Sequence, residues 1–415
     1  MSEGTGRPLP DLFVVPDFDH ARISVSFTAP RSCRSVEWQL LQDEAAIAAG
    51  SVRPEEPPAL TSFEVEIPGF IPWTLSRPFL YVLRMNLIDQ DGTVELRQPF
   101  GMRKFHVEGR QIYFNNRPLL VKGFIRGREA HDHPNLAGLP EEQYYAKNIL
   151  TAKRYGFNLV RFHSRVPPDL YFDVADRLGL LVHIEMRRYY GKYQKQRELM
   201  DHDPQLVSEE DWRQMVLRLR NHPSLMVYCM GNEINAPGRN PQVKRIAELT
   251  RQLDPTRLFI DTCARGEYDR SDIDFDVQHM GYFCPFGRHY SMFDTADNWG
   301  IFGSVSGKKM VEADDEANPG GVTRRHITPR VPVIAHEVGH YTAYRDLDAL
   351  AAKFAACGAD KPWWIDELKK LIKAKGLEAD YPRLLAASQR FQYIWWKQVL
   401  ESVRKSPILC GFHFL

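Results

Sequence analysis

The sequence lacks the features that mark disulfide-rich, membrane-spanning and nucleic-acid-binding proteins. Its 415 residues include only six cysteines, no two of which form a CxxC pair, so neither a disulfide framework nor a cysteine metal site is indicated. No uninterrupted apolar run reaches the ~18 residues that a transmembrane helix needs. The formal net charge is +1, which gives no electrostatic reason to expect nucleic acid or an anionic membrane as a partner.

The composition is that of a globular protein, with 43% hydrophobic and 26% charged residues. A chain of this length has room for two domains, or for one large barrel with an accessory module. The first ten residues are polar and rich in Gly and Pro, without the apolar segment of a signal peptide. The sequence as it stands predicts a cytoplasmic protein, and an additional upstream segment would change that expectation.

Residues from Asp11 to Val107 form short runs in which apolar and polar residues alternate. Examples are Arg22-Ile-Ser-Val-Ser-Phe27 and Phe63-Glu-Val-Glu-Ile67, and turn signals such as Asp91-Gly92 separate the runs. Because side chains alternate between the two faces of a strand, this pattern predicts strands with one buried face. Several such runs without helical periodicity predict a β-sandwich over residues 1–107.

From Glu108 onwards the pattern changes to a strand, a loop and a helix, repeated along the chain. The predicted strands are Leu119–Phe124, Asn158–His163, Leu180–Glu185, Leu225–Met230, Leu258–Cys263, Phe275–Met280, Val331–His336 and Ile408–Leu415. The predicted amphipathic helices are Tyr144–Tyr155, Leu170–Leu178, Trp212–Arg220, Val243–Leu253 and Leu347–Cys357. Eight strands alternating with helices predict a (β/α)8 TIM barrel over residues 108–415.

The eighth predicted strand is also the end of the chain. A closed barrel needs a last loop and a last helix, and without them an apolar flank stays uncovered. We therefore expect a barrel that is incomplete at its C-terminus. Two explanations stay open: the sequence is a fragment of a longer polypeptide, or another chain completes the fold.

Two glutamates follow apolar strands at positions where a barrel places its active site. Glu233 ends the run Met226-Val-Tyr-Cys-Met-Gly-Asn-Glu233, and Glu337 ends Val331-Pro-Val-Ile-Ala-His-Glu337. The C-terminal ends of barrel strands surround one cavity, so both carboxylates are expected to enter it. Hydrolysis of a glycosidic bond needs such a pair, one to protonate the leaving oxygen and one to meet the anomeric carbon.

The stretch Asn221-His-Pro-Ser-Leu-Met-Val-Tyr-Cys-Met-Gly-Asn-Glu233 closely resembles the acid/base segment of glycoside hydrolase family 2. Other stretches resemble the barrel of that family in its order: Tyr113-Phe-Asn-Asn-Arg-Pro118, Tyr155-Gly-Phe-Asn-Leu-Val-Arg-Phe-His163, Ala175-Asp-Arg-Leu-Gly-Leu180 and Pro332-Val-Ile-Ala-His-Glu337. Pro72-Trp-Thr-Leu-Ser-Arg-Pro-Phe-Leu-Tyr81 and Phe100-Gly-Met-Arg103 resemble the immunoglobulin-like domain that precedes it. The resemblance implies an immunoglobulin-like β-sandwich followed by a catalytic TIM barrel.

The resemblance also implies roles for individual residues. Glu233 becomes the general acid/base and Glu337 the nucleophile of a retaining β-glycosidase, as in β-galactosidases, β-glucuronidases and β-mannosidases. The residues implied to bind substrate or line the pocket are Asn232, Arg161, His163 and His340. Apart from the resemblance, Glu185 at its strand end is a candidate pocket or structural carboxylate, and Trp299, in the irregular stretch from Gly281 to Arg330, is a candidate sugar platform. Tyr282, or in its place His279, is the candidate to hydrogen-bond the nucleophile.

The sequence departs from the family at both ends. The N-terminal jelly-roll domain of the family is absent, as is its loop after the eighth strand, and Val338 stands where many members have an aromatic residue. These departures leave open a non-catalytic protein that binds carbohydrate or serves assembly.

A zinc peptidase is the more distant alternative. His336-Glu337-Val-Gly-His340 matches the HExxH motif, which binds zinc only when its histidines lie one helical turn apart. The β-branched residues before it predict a strand, and Gly339 would weaken a helix.

The combined prediction is an exo-acting O-glycosyl hydrolase that works by double displacement, with its carboxyl groups about 5–5.5 Å apart. A carbohydrate is the expected partner. No metal and no cofactor are implied. The sugar and linkage, the activity of this chain by itself and a homo-oligomeric state stay open.

Overall fold

The computed structural model describes residues 11–55, 58, 60–127, 138–186, 207–234, 237–263, 270, 272–279, 331–356 and 358–415. The first part is built from antiparallel sheets, and the second part contains an eight-stranded parallel sheet with helices between most of its strands. This is the β plus α/β architecture predicted from the sequence.

Seven strands form a sandwich of two sheets. They are β1 (Phe13–Asp17), β2 (Arg22–Thr28), β3 (Ser35–Gln42), β4 (Ala45–Val52), β5 (Leu60–Glu66), β6 (Tyr81–Ile88) and β7 (Thr93–Phe100). The sheets have the orders β1-β2-β5 and β4-β3-β6-β7, and every pair is antiparallel. In β6 buried and half-buried residues alternate strictly, so one face of the strand enters the core shared by the sheets, as the period-2 pattern predicts.

Tyr81 fixes one corner of the sandwich. It is the first residue of β6, it is fully buried, and its hydroxyl accepts a hydrogen bond of 2.8 Å from the backbone N–H of Ile71. A tyrosine that bonds back to upstream backbone at this place is the tyrosine corner of immunoglobulin-like domains. Its ring stacks on Phe100 with centroids 5.7 Å apart, which joins the corner to the core.

A three-stranded meander lies between the sandwich and the barrel. Its strands are β8 (Phe105–Glu108), β9 (Gln111–Phe114) and β10 (Arg117–Pro118). Phe105, Ile112 and Phe114 belong to the same buried cluster as the first residues of the barrel strands. The meander therefore covers the N-terminal end of the barrel, and we propose that the second domain begins at about Phe105.

The parallel sheet contains all eight strands predicted from the sequence, with bounds shifted by up to three residues. They are β11 (Val121–Arg126), β12 (Leu159–Phe162), β13 (Leu181–Glu185), β14 (Leu225–Cys229), β15 (Leu258–Ile260), β16 (Asp276–His279), β17 (Val333–Val338) and β18 (Leu409–Phe414). Their order is β15-β14-β13-β12-β11-β18-β17-β16. Strand β18 pairs with both β11 and β17, so the last strand of the chain fills its place in the sheet.

Helices lie between most of these strands. They are α1 (Glu141–Arg154), α2 (Asp169–Leu178), α3 (Glu209–Leu219), α4 (Pro241–Leu253), α5 (Leu347–Ala356), α6 (Trp363–Ala374) and α7 (Tyr381–Lys405). Ser208 starts α3, because its side chain accepts a hydrogen bond of 3.0 Å from the backbone N–H of Asp211. In the described part of the chain, no helix has both the length and the apolar character needed to cross a bilayer.

The two ends of the strand order are joined by polar contacts. Within the described residues no ladder links β15 to β16, but the backbone N–H of Asp274 donates to the Phe259 carbonyl at 3.0 Å. Arg270, fully buried, donates to the carboxylates of Asp261 and Asp276. The Arg270 guanidinium thus neutralises one carboxylate at β15 and one at β16. These contacts connect the two edge strands, so the barrel is nearly closed.

Gly411 allows β18 to lie against β11. It pairs with Val121, its φ is +151°, and a Cβ built on it would lie 2.1 Å from the Val121 carbonyl oxygen. Only glycine has no Cβ, so only glycine fits this approach without moving a backbone.

We expect Gly411→Ala to lower the free energy of unfolding by roughly 2–4 kcal/mol, because backbone strain is joined by a clash with a carbonyl. Gly376→Ala is the matched control, since Gly376 also has a positive φ, +63°, but nothing within 4 Å of its Cβ position. Gly376→Ala should lower the free energy of unfolding by only about 1 kcal/mol. Urea unfolding of both variants measures the difference, and equal losses would show that the close approach to Val121 is unimportant.

Candidate active site

The two predicted glutamates meet at the C-terminal end of the barrel. Glu233 follows β14, and Glu337 lies near the end of β17. The imidazole of His279 lies between them, with Nδ1 3.6 Å from the Glu233 Oε1 and Nε2 3.2 Å from the Glu337 Oε2. The Glu233 side chain is 33% exposed and that of Glu337 only 13%. The carboxylate nearer to solvent is therefore the one better placed to exchange protons.

Both glutamates have an unusual backbone conformation. Their φ values are +52° for Glu233 and +50° for Glu337, in the left-handed region that residues with a Cβ rarely adopt. Glu337 also lies at an irregularity in the pairing of β17 with β18, where the register shifts between Ala335 and Val338. A bulge re-aims the side chain that follows it, and strain of this kind concentrates at functional sites.

The backbone after β15 holds Glu233 in place. The N–H of Glu233 donates to the Cys263 carbonyl at 2.8 Å, and the N–H of Cys263 donates to the Gly231 carbonyl at 3.0 Å. The N–H of Ile234 donates to the Thr262 hydroxyl at 2.8 Å. Three bonds to one neighbouring segment fix the direction in which Glu233 leaves the barrel wall.

Arg161 links the remaining polar groups beneath the carboxylates. It lies on β12, is fully buried, and donates through Nε to the Glu185 carboxylate at 2.8 Å and through NH2 to Asn232 Oδ1 at 2.7 Å. Its NH1 lies 3.6 Å from Glu337 Oε1. Burial opposes its charge, but the carboxylates of Glu185 and Glu337 outweigh that effect and raise the pKa of Arg161. The guanidinium is therefore a permanent positive charge.

Three histidines lie around Glu337. His163 Nε2 is 4.0 Å and His336 Nε2 is 3.5 Å from the Glu337 Oε1, and the ring of His279 is parallel to that of His336 at 5.0 Å. Burial first, and the charge of Arg161 second, lower the pKa of His163 and hold that of His336 well below its ordinary value. Near neutral pH, His163 and His336 can therefore contribute neutral N–H groups.

His336 is itself bonded to a histidine of the last strand. The Nδ1 atoms of His336 and His413 are 3.2 Å apart, and both side chains are fully buried. Burial and Arg161 lower the pKa of His413 to about 3, so this is a bond between two neutral rings in which only one Nδ1 carries the proton.

Other residues predicted from the sequence lie elsewhere. Glu185 has no exposed surface, and its second oxygen accepts from the backbone N–H of Ser164 at 2.8 Å, so it supports Arg161 and does not face a sugar. His340 packs edge-on against Trp395 of α7, with centroids 5.7 Å apart. Tyr282 and Trp299 lie outside the described residues.

The comparisons with known proteins agree with this geometry. Residues 105–280 match the family model of the glycosyl hydrolases family 2 TIM barrel domain. Over these residues the barrel of this chain is similar to the barrel of glycosyl hydrolase family 2. The matched segment contains β11 to β16, and with them Arg161, His163, Asn232, Glu233 and His279.

Individual relatives cover different shares of the chain. A β-galactosidase of Vibrio vulnificus (strain YJ016) is 31% identical over 189 residues, which are 45% of this chain and 18% of that protein. A β-galactosidase of Lactococcus lactis subsp. lactis is 27% identical over 375 residues, 85% of this chain and 32% of that protein. The match thus spans less than a third of either relative.

A solved structure extends the likeness to nearly the whole chain. The β-D-glucuronidase of Dictyoglomus thermophilum aligns with a TM-score of 0.62 and 16% identity, over 97% of this chain and 61% of that chain. At that identity the likeness shows the fold and nothing further.

The HExxH motif does not have the geometry of a zinc peptidase. His336 and Glu337 lie on strand β17, and the chain leaves that strand before His340, so its histidines are not one helical turn apart. Among the described residues, three groups bring metal-binding atoms within 4.8 Å of one another. They are His279, His336 and Glu337; His183, Glu185, Cys229 and Cys263; and Asp173, Asp176 and His222.

The sequence analysis did not identify His413, and it gave His336 no part in the candidate active site. Both are polar residues inside apolar strands, Val-Ile-Ala-His336 and Leu-Cys-Gly-Phe-His413. A buried histidine in such a strand is a usable signal, because it needs a partner, but nothing in the sequence says that the two are partners.

Arg161 should be needed for folding as well as for any chemistry. Arg161→Met leaves the Glu185 carboxylate buried without its counter-charge, and we expect a loss of about 3–5 kcal/mol in the free energy of unfolding. The double variant Arg161→Met/Glu185→Met removes both charges, so its free energy of unfolding should fall clearly less than that of Arg161→Met. Chemical denaturation of both variants and of Glu185→Met completes the cycle, and strictly additive losses would contradict the coupling.

Proposed function

We propose that the protein is a retaining, exo-acting β-glycosidase with Glu337 as nucleophile and Glu233 as general acid/base. The observation that carries the proposal is the pair of strand-terminal carboxylates on either side of His279, in a barrel similar to that of glycosyl hydrolase family 2. Retention requires carboxyl groups about 5–5.5 Å apart.

In the first step the Glu337 carboxylate attacks the anomeric carbon. A bond forms between its oxygen and that carbon while the glycosidic C–O bond breaks, and the proton of the Glu233 carboxyl goes to the leaving oxygen. In the second step a water attacks the same carbon, Glu233 accepts its proton, and the ester bond to Glu337 breaks. Both carboxyl groups then have their starting protonation states.

The surrounding groups suit these roles. Arg161, 3.6 Å from Glu337, favours the ionised carboxylate, which is the form that attacks. Asn232 accepts from Arg161 through Oδ1, so its amide NH2 is the donor left for the sugar 2-hydroxyl. His279 contacts both glutamates, and in this proposal it takes the place of a tyrosine beside the nucleophile.

A neutral sugar and an acidic sugar are the two candidate substrates. The curated relatives described above are called β-galactosidases and the structural neighbour a β-D-glucuronidase, so a neutral and an acidic sugar are both compatible. A panel of nitrophenyl β-galactoside, β-glucuronide, β-mannoside and α-L-arabinopyranoside therefore tests the function and the specificity together.

On the sugar that is turned over, we expect Glu337→Gln to abolish hydrolysis, because the amide cannot form the glycosyl ester. Glu233→Ala should lower the rate by about 10²–10⁴ when the leaving group needs a proton, and azide should restore turnover with formation of a β-glycosyl azide. Steady-state rates and product analysis by NMR measure both effects.

Glu185→Gln is not a suitable control here, because it disturbs Arg161; Glu142→Gln on the exposed face of α1 is suitable. Hydrolysis with inversion, or undiminished turnover by Glu337→Gln, would overturn the assignment. Absence of turnover on the whole panel would favour the non-catalytic alternative.

We further propose that His413 orients the nucleophile through His336. If His413 donates to the Nδ1 of His336, the proton of His336 is on Nε2 and faces the Glu337 Oε1 3.5 Å away. The Glu337 carboxylate favours the tautomer with the proton on Nε2, because it can accept a hydrogen bond from an N–H group, whereas an unprotonated nitrogen has no hydrogen to donate.

His413→Leu should therefore lower kcat by roughly 10- to 100-fold with little change in KM, because the nucleophile loses its alignment. His413→Asn keeps a polar group near the Nδ1 position and should retain most of kcat. Steady-state kinetics with circular dichroism on both variants make the test. A rise in KM alone, or equal losses in the two variants, would contradict a positioning role.

A further inference from the structure

Beneath the candidate active site, four side chains with metal-binding atoms converge. We call His183, Glu185, Cys229 and Cys263 the thiol cluster. His183 and Glu185 lie on β13, Cys229 ends β14, and Cys263 lies three residues beyond β15. The sulfur atoms are 3.9 Å apart, His183 Nε2 is 3.7 Å from the Cys263 sulfur, and Glu185 Oε1 is 4.0 Å from the Cys229 sulfur.

The thiol cluster is fully buried, and its imidazole is poorly satisfied. All four side chains have 0% exposure. Within the described part of the chain His183 Nδ1 has no hydrogen-bond partner, and the contact of Nε2 is the Cys263 sulfur, which is a weak donor. A buried imidazole with so little bonding needs an explanation, and a bound ion is one that native proteins use.

The two cysteines do not form a disulfide. Their sulfur atoms are nearly twice as far apart as the ~2.05 Å of an S–S bond, and both are free thiols. The separation suits a different arrangement: two thiolates at ~2.3 Å from a tetrahedral zinc ion lie about 3.8 Å apart. The observed sulfur–sulfur distance of 3.9 Å is close to this expected distance between two zinc-bound thiolates.

We propose that the thiol cluster binds one Zn²⁺, with Cys229 Sγ, Cys263 Sγ, His183 Nε2 and Glu185 Oε1 as its ligands. All four atoms lie within 4.8 Å of one another, so small side-chain movements complete the tetrahedron. Two thiolates and an imidazole are ligands that favour zinc over magnesium or calcium. With four protein ligands the site is closed, as structural zinc sites are.

The charges of the site balance. Binding releases one proton from each thiol, and the two thiolates neutralise the Zn²⁺. Glu185 is already neutralised by Arg161, which donates to it and orients it.

The ion would brace the site above it. The Cys263 carbonyl accepts the backbone N–H of Glu233, and Glu185 holds Arg161. Zinc would thus join β13, β14 and the segment after β15 at the level where both carboxylates are positioned. Its role is structural, so zinc binding can be tested without any glycoside.

The experiment measures metal in the whole chain. The protein is unfolded and refolded with a non-chelating phosphine reductant and one equivalent of Zn²⁺, desalted and analysed by inductively coupled plasma mass spectrometry. Wild type and Cys33→Ser, a buried cysteine of the sandwich, should each retain about one zinc per chain. Cys229→Ser/Cys263→Ser should retain less than a tenth of that amount.

Cobalt provides the second measurement, because the double variant could fail to fold. Wild type refolded with Co²⁺ should show near-ultraviolet thiolate-to-cobalt charge-transfer bands and the visible bands of tetrahedral coordination. Wild type without stoichiometric zinc, zinc retained in the folded double variant, or cobalt bound without thiolate bands would each overturn the proposal.

Discussion

A guanidinium buried in an apolar barrel has to be neutralised, and the candidate site is organised around the way Arg161 meets that requirement. Its partners come from three different strand ends: Glu185 at the end of the neighbouring strand β13, Asn232 beside Glu233 after β14, and Glu337 across the barrel. The same rigid, planar guanidinium group makes all of these contacts, so it fixes the positions of its partners relative to one another. The carboxylates are therefore positioned before any substrate binds.

The second constraint is the backbone strain at the two glutamates. Positive φ values at Glu233 and Glu337 cost free energy that other contacts must offset. For Glu233 the offset comes from hydrogen bonds to the segment after β15; for Glu337 it comes from the pairing of β17 with β18 on one side and β16 on the other. Two of the described non-glycine residues with a positive φ are thus those with the proposed chemistry.

The barrel interior below the site is more polar than its strands suggest. His183, His336 and His413 are neutral because burial lowers their pKa, and they contact one another ring against ring. Two cysteines complete this layer. The neutral imidazoles of this layer can orient a carboxylate, and its two thiols can bind Zn²⁺ without adding net charge to the core once they have lost their protons.

The sequence by itself determined the strands, most of the helices and the place of two glutamates at strand ends, because these depend on local periodicity. Tertiary structure decided which side chains are partners. The bond between His336 and His413 joins residues 77 positions apart, and the contact between Cys229 and Cys263 spans 34. Such pairings follow from strand order and register, and a pattern of a few residues contains no information about either.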